Sequence, residues 1–164
     1  MKYAEMGSIS SGTMQPADLI PCFLDELKSL AMENNNKEDL AFVDEVQGRI
    51  DASGDDENQE GKTINDDYFE SEDSDFDLEG LFDRLQAYAL PYFYFGAHPG
   101  DGANYGFWLS EGFEYDFEGK KVSDLSEIKE EDWNQEILHV NDHGNTTLYF
   151  CNNKGELTEI WAVV

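Results

Sequence analysis

Between Tyr88 and Leu109 the chain reads YALPYFYFGAHPGDGANYGFWL, and this stretch constrains the fold more than any other. It carries eight of the 22 aromatic residues. Pro91 keeps a helix from running on into it, because proline lacks an N–H and pushes the residue before it toward extended backbone. Upstream of Pro91 apolar residues recur every three or four positions; downstream they alternate. The chain therefore changes here from helix to strand, and the aromatics have to be buried where the two meet. The fold class that follows is α+β, with two or three N-terminal helices packed on a C-terminal antiparallel sheet of about five strands.

The helical half can be read position by position. Leu19, Ile20, Phe23, Leu24, Leu27, Leu30 and Ala31 form one apolar stripe. Asp18 is the expected N-cap, since a start at Pro16 would leave Pro21 in the helix interior, at a cost of about 3 kcal/mol. Asn34-Asn35-Asn36 ends this helix. A second is expected over 37–49, with Leu40, Val43, Val46 and Ile50 as its stripe and Asn36 and Asp39 in capping-box spacing. Leu78, Leu81, Phe82, Leu85, Tyr88 and Ala89 predict a third over 78–90, with Asp75, Asp77 and Glu79 at its start, where the helix dipole favours negative charge.

Between the second and third helices lies an acidic run. Residues 51–83 hold fourteen Asp or Glu and one basic residue, Lys62. Such a run predicts a solvated linker over 51–77, partly disordered, with Ile64, Tyr68, Phe69 and Phe76 able to tack parts of it onto a core. Beyond Pro91, YFYF and YGFWL read as strands bracketing the loop GAHPGDGAN. EGFEYDFEG alternates strictly, with Phe113, Tyr115 and Phe117 on one strand face and Glu114, Asp116 and Glu118 on the other. EILHVN, TTLYFC and ELTEIWAVV, joined by DHGN and NNKG, predict a three-stranded meander. Residues 91–164 are thus the sheet, 18–50 the helical part, and 1–164 one domain able to bury about two-thirds of its unfolded surface.

Charge is the strongest functional clue. The chain has 37 acidic and 10 basic residues, a formal net charge of −27. Phosphate contacts need lysine or arginine, so direct nucleic-acid binding and an anionic membrane surface are not expected. A compact chain of this length is roughly 40 Å across, and ~40 Å of duplex DNA carries about 24 charges. The expected partner is therefore a basic nucleic-acid-binding protein or complex. Asp66, Asp67, Glu70, Glu72, Asp73, Asp75, Asp77 and Glu79 form one candidate surface. Glu114, Asp116 and Glu118, spaced ~6.8 Å along a strand, form a second. Carboxylates so placed could occupy Lys/Arg pockets that otherwise hold phosphates.

Other chemistry is poorly supported. His98, Asp101, His139, Asp142 and His143 are the minority candidates for a zinc site, each histidine being close to an aspartate. As turn residues, Pro99, Gly100, Asp101, Asp142, Gly144 and Asn145 explain the same strings. DASGDDENQEGK, with Asp51, Ser53 and Asp55, misses the glycine and the final carboxylate of a calcium loop. GDGANYG is followed by neither GK[ST] nor a helix. Cys22 and Cys151 are expected to be reduced thiols. No cofactor is expected. The N-terminus MKYAEMGSISSG lacks an apolar core and no run approaches 18 apolar residues, so the expected location is the cytoplasm.

Two resemblances bear on these strings. AHPGD at 97–101 resembles the AHPDD motif of zinc-dependent sugar deacetylases, which also follows a strand. Here, however, the second aspartate of that motif is Gly100, and no HxxH follows downstream. YFYFGAHPGDGANYGFWLSE, LHVNDHGNTTLYF, EIWAVV and GTMQPADLIP resemble segments of small acidic proteins carried by phages and mobile elements, over about the C-terminal half and the entry to the first helix. That resemblance implies a host-cell setting in which acidic proteins inhibit restriction or CRISPR nucleases, and it supplies no site residues. The leading expectation is a non-enzymatic inhibitor acting by DNA mimicry. The alternatives are an immunity-type protein neutralising a basic toxin and a zinc-dependent enzyme.

Overall fold

The structure, a computed structural model, describes residues 1–52 and 66–163. It is α+β and divides into two compact units, Met1–Ser110 and Glu111–Val164. In the first unit a three-stranded antiparallel sheet, ordered β1 (Gly7–Ser11), β3 (Asp101–Leu109), β2 (Phe93–His98), is accompanied by helices α1 (Pro16–Asn34), α2 (Lys37–Ala52), α3 (Asp66–Phe69) and α4 (Glu72–Gln86). In the second, the helical turn α5 (Phe113–Asp116) precedes a sheet ordered β4 (Lys120–Val122), β5 (Gln135–Val140), β6 (Thr146–Cys151), β7 (Leu157–Val163). The predicted meander forms as β5-β6-β7, all antiparallel; β4 joins its edge in parallel. The strands thus make two sheets instead of the one expected.

Every residue of the α1 stripe is buried, from Leu19 to Ala31. The helix nevertheless starts at Pro16, and Pro21 lies within it. Pro16 at the first helical position loses no bond, and its fixed φ suits a helix start. Pro21 frees only the carbonyl of Ala17, and both residues are exposed, so water can solvate it. Asn35 ends α1 in the left-handed region at φ 53, and Asn36 N–H closes on the Ala31 carbonyl at 2.8 Å. Asn36 then caps α2 by accepting from the N–H groups of Glu38 and Asp39. Only half of the expected capping box is present, because Asp39 bonds the Asn36 side-chain amide and not its backbone N–H.

The aromatic-rich stretch closes the first core as its composition required. Phe23 of α1 sits edge-on to Phe82 of α4 and Phe95 of β2, with centroids 5.4 and 5.0 Å apart, and Phe95 packs on Phe107 of β3. Such pairs add about 0.5–1.5 kcal/mol each beyond simple burial. The loop between β2 and β3 is shorter than expected, since His98 pairs with Asp101 and only Pro99-Gly100 turn the chain. Residues 7–11 form β1 on the far side of β3. Gly106 permits this, because a Cβ there would lie 2.0 Å from the Gly7 carbonyl oxygen.

Two further expectations are corrected. The helix placed at 78–90 spans Glu72–Gln86 and takes in the end of the presumed linker. Ser71 caps it by accepting from the Ser74 N–H, and Glu72, Asp73 and Asp75 occupy its first turn, which suits the dipole. The rest of the linker over 53–65, including most of the weak calcium-loop string, lies outside the described residues. EYDFE is not a strand: Gly112, at φ 76, turns the chain into α5. Phe113 and Phe117, four apart, are both buried, while Tyr115 is 95% exposed.

Candidate acidic interface

The carboxylates of α4 do not all face outward. Asp77 is 5% exposed and accepts from Arg49 Nε at 2.9 Å and from the Tyr68 hydroxyl at 2.7 Å. Asp39 of α2 is matched in the opposite sense, taking Arg84 of α4 and the Tyr88 hydroxyl at 2.6 Å. The two antiparallel helices are thus clamped by reciprocal Asp–Arg–Tyr sets at either end. Burial first, and the bond to Asp39 second, push Tyr88 up to about 12. The same two causes raise Tyr68, with Asp77 as its partner. Both arginines of the chain are consumed here, and Arg84 also lies over the Phe42 ring, 4.4 Å from its centroid. Asp77 therefore leaves the candidate surface and becomes a structural residue.

The rest of α4 divides by helical geometry. At 100° per residue, Ser74, Asp77, Leu81 and Leu85 point to the core, and Glu72, Phe76, Glu79 and Asp83 form a row on the opposite side. Asp73 and Asp75 flank that row, both exposed. Among the described residues, none of Glu72, Asp73, Asp75, Glu79 and Asp83 has a cationic partner. From 72 to 83 the axis rises ~16.5 Å, at ~1.5 Å per residue, and carries five exposed carboxylates. One DNA strand carries about five phosphates over that length. Glu70 is exposed in the turn before α4, and Asp67 is exposed on α3; Asp66 is the first residue of α3. Phe76, expected to help anchor the run to a core, is 69% exposed; Tyr68 and Phe69 do that work.

In the second unit, Glu114, Asp116 and Glu118 are exposed but fan around a helical turn instead of lining one strand face. Lys121 partly answers Glu114, its Nζ lying 2.6 Å from the backbone oxygen and 3.8 Å from the carboxylate. A further acidic cleft of about 290 Å³ lies in the first unit between the N-terminal segment and α1. Glu5, Glu26 and Glu33 line it, with Lys2 paired to Glu33 at 2.7 Å. Burial and then the charges of Glu5 and Glu33 raise the Glu26 carboxyl above its ordinary range.

The histidine strings serve turns and strand edges. His98 accepts from the Gly100 N–H at 3.0 Å and stands edge-on to Trp108, 4.6 Å between centroids. Asp101 accepts from the Ala103 N–H. His139 Nε2 lies 3.2 Å from the Ser123 carbonyl, to which it donates. Asn141 holds the next turn by accepting from the N–H groups of His143 and Asn145, and Asp142 and His143 are exposed. Among the described residues, no three His, Cys, Asp or Glu side chains gather where they could hold a metal ion. His98 and Asp101 belong to the first unit and the other three to the second. Cys22 and Cys151 are free thiols, and no described helix is long and apolar enough to cross a membrane.

The sequence contained the composition of the acidic surface but not its sorting. The Asp39–Arg84 and Arg49–Asp77 pairs have no signature in the sequence, because partners 45 and 28 residues apart leave no local pattern. The outward row of α4 could have been found by starting the helix at the Ser71 cap. Comparison with protein-family models, with curated proteins and with solved structures finds no match to this chain.

Proposed function

We propose that this chain is a non-enzymatic acidic inhibitor that binds a basic nucleic-acid-binding defence enzyme or complex, of restriction or CRISPR type, by standing in for DNA. It would do so in the cytoplasm, that of the host cell if the chain is carried by a phage. The observation that carries this reading is the α4 row. Five carboxylates without cationic partners among the described residues lie along ~16.5 Å, close to the linear charge of one DNA strand. A net charge of −27 surrounds that row with a field that draws basic partners over long distances. Placing the carboxylates on a capped helix fixes them before binding, so less ordering entropy is lost on association.

The experiment is competition. A purified type I restriction nuclease and a purified CRISPR surveillance complex are each bound to a labelled ~30-bp duplex and titrated with the protein. Release of duplex at low micromolar protein or below, with an effect that weakens between ~0.1 and ~0.5 M salt, is the expected result. Failure to release duplex from either complex at low salt overturns the reading.

A further inference from the structure

We propose that the outward face of α4 is a docking surface centred on Phe76, and that its partner presents an apolar pocket set among phosphate-binding lysines and arginines. The inference rests on the inhibitor reading and adds to it a place on the chain and a component of binding that is not electrostatic.

Phe76 is 69% exposed on a helix whose inner side is already complete, with Leu81 and Leu85 fully buried. Folding makes little use of the ring. Glu72 and Glu79 lie one turn to either side of it, and Asp83 continues the row. An aromatic side chain ringed by charged groups is the arrangement of an interface anchor with its rim, in which the ring supplies buried area and the rim supplies orientation.

Charge decides the occupant. A neutral or acidic partner covering this face would strip water from Glu72, Glu79 and Asp83 without giving them cations, and uncompensated buried charge is strongly unfavourable. Like charge also disfavours a second copy of a chain carrying −27, and DNA itself. Arg84, at the flank, cannot neutralise the row because Asp39 holds it. A basic surface satisfies the carboxylates, and an apolar recess within it accepts the ring. No phosphate offers such a group, so Phe76 would let the protein choose among basic partners that all accept DNA.

The test uses whichever of the two complexes the wild-type protein displaces from duplex. Phe76→Ala is expected to weaken binding about tenfold or more. The loss should be similar at ~0.1 and ~0.3 M salt, because an apolar contact is not screened. The triple variant Glu72→Gln, Glu79→Gln, Asp83→Asn should instead flatten the dependence of affinity on salt. Phe76→Leu should retain most of the binding. All variants should melt within a few degrees of wild type, since the four side chains face solvent. Binding of Phe76→Ala within about twofold of wild type would overturn this inference and leave the inhibitor reading standing. Failure of wild type to displace duplex from either complex would remove the inhibitor reading, and this inference with it.

Discussion

Arg49 at the end of α2 holds Asp77 near the start of α4 through Nε–Oδ2 at 2.9 Å and a second bond from Nη2 to Oδ1. The pair is asymmetric in exposure. The Asp77 side chain is 6% exposed, whereas that of Arg49 is 32% exposed and has Glu45 as a second partner at 2.8 Å.

That asymmetry sets the order of two substitutions. Arg49→Ala leaves a buried carboxylate with only the Tyr68 hydroxyl, and should cost about 3–5 kcal/mol. Asp77→Ala leaves a guanidinium that can still reach Glu45 and water, and should cost about 1–3 kcal/mol. Urea denaturation of the two variants checks the ranking; equal losses would count against it.

Alkaline titration should find two reluctant tyrosines. Tyr88, raised to about 12, and Tyr68, also raised, keep their protons where a tyrosine of an unfolded chain, at about 10, has lost its own. In this range the native state holds more protons than the unfolded state, so the stability these two hydroxyls contribute is complete below about pH 10 and is lost as pH climbs through 12. Tyrosinate absorbance at about pH 11 should therefore fall short of the unfolded value, and Tyr88→Phe should remove part of the deficit.

Glu26 predicts a stabilising substitution. Its raised carboxyl means the ionised form is disfavoured in the native cleft, so this group lowers stability as pH rises through the ordinary carboxylate range and above. Glu26→Gln should stabilise the fold slightly at pH 7, by well under about 1 kcal/mol because solvent screens the site. The gain should vanish below about pH 4, and calorimetry at the two pH values is sufficient to see it.

Gly106→Ala should detach β1. The new Cβ would meet the Gly7 carbonyl oxygen at 2.0 Å and the Ser8 Cα at 2.9 Å, both backbone atoms that cannot swing aside. A loss of roughly 3 kcal/mol is expected, at the upper end for overpacking. Hydrogen exchange should show it first at the amides of 7–11, before the β2–β3 pairing.

The sequence by itself determined the class of fold and the elements that carry strong periodicity. The α1 stripe and the β5-β6-β7 meander were legible because each repeats its own signal over many residues. EYDFE was not, because burying Phe113 and Phe117 while exposing Glu114, Asp116 and Glu118 fits both a strand and one helical turn. The two differ only in the direction of Tyr115, which a left-handed Gly112 decides.

The acidic surface shows the same division. Its total charge is a property of composition, fixed before folding. Which carboxylates remain outside was decided by tertiary structure: Asp75 and Asp77 stand two residues apart on one helix, yet one is solvated and the other buried against Arg49. Local sequence cannot separate them. The separating force is a charge 28 residues away, and attraction depends on distance in space, which exists only once α2 and α4 are side by side.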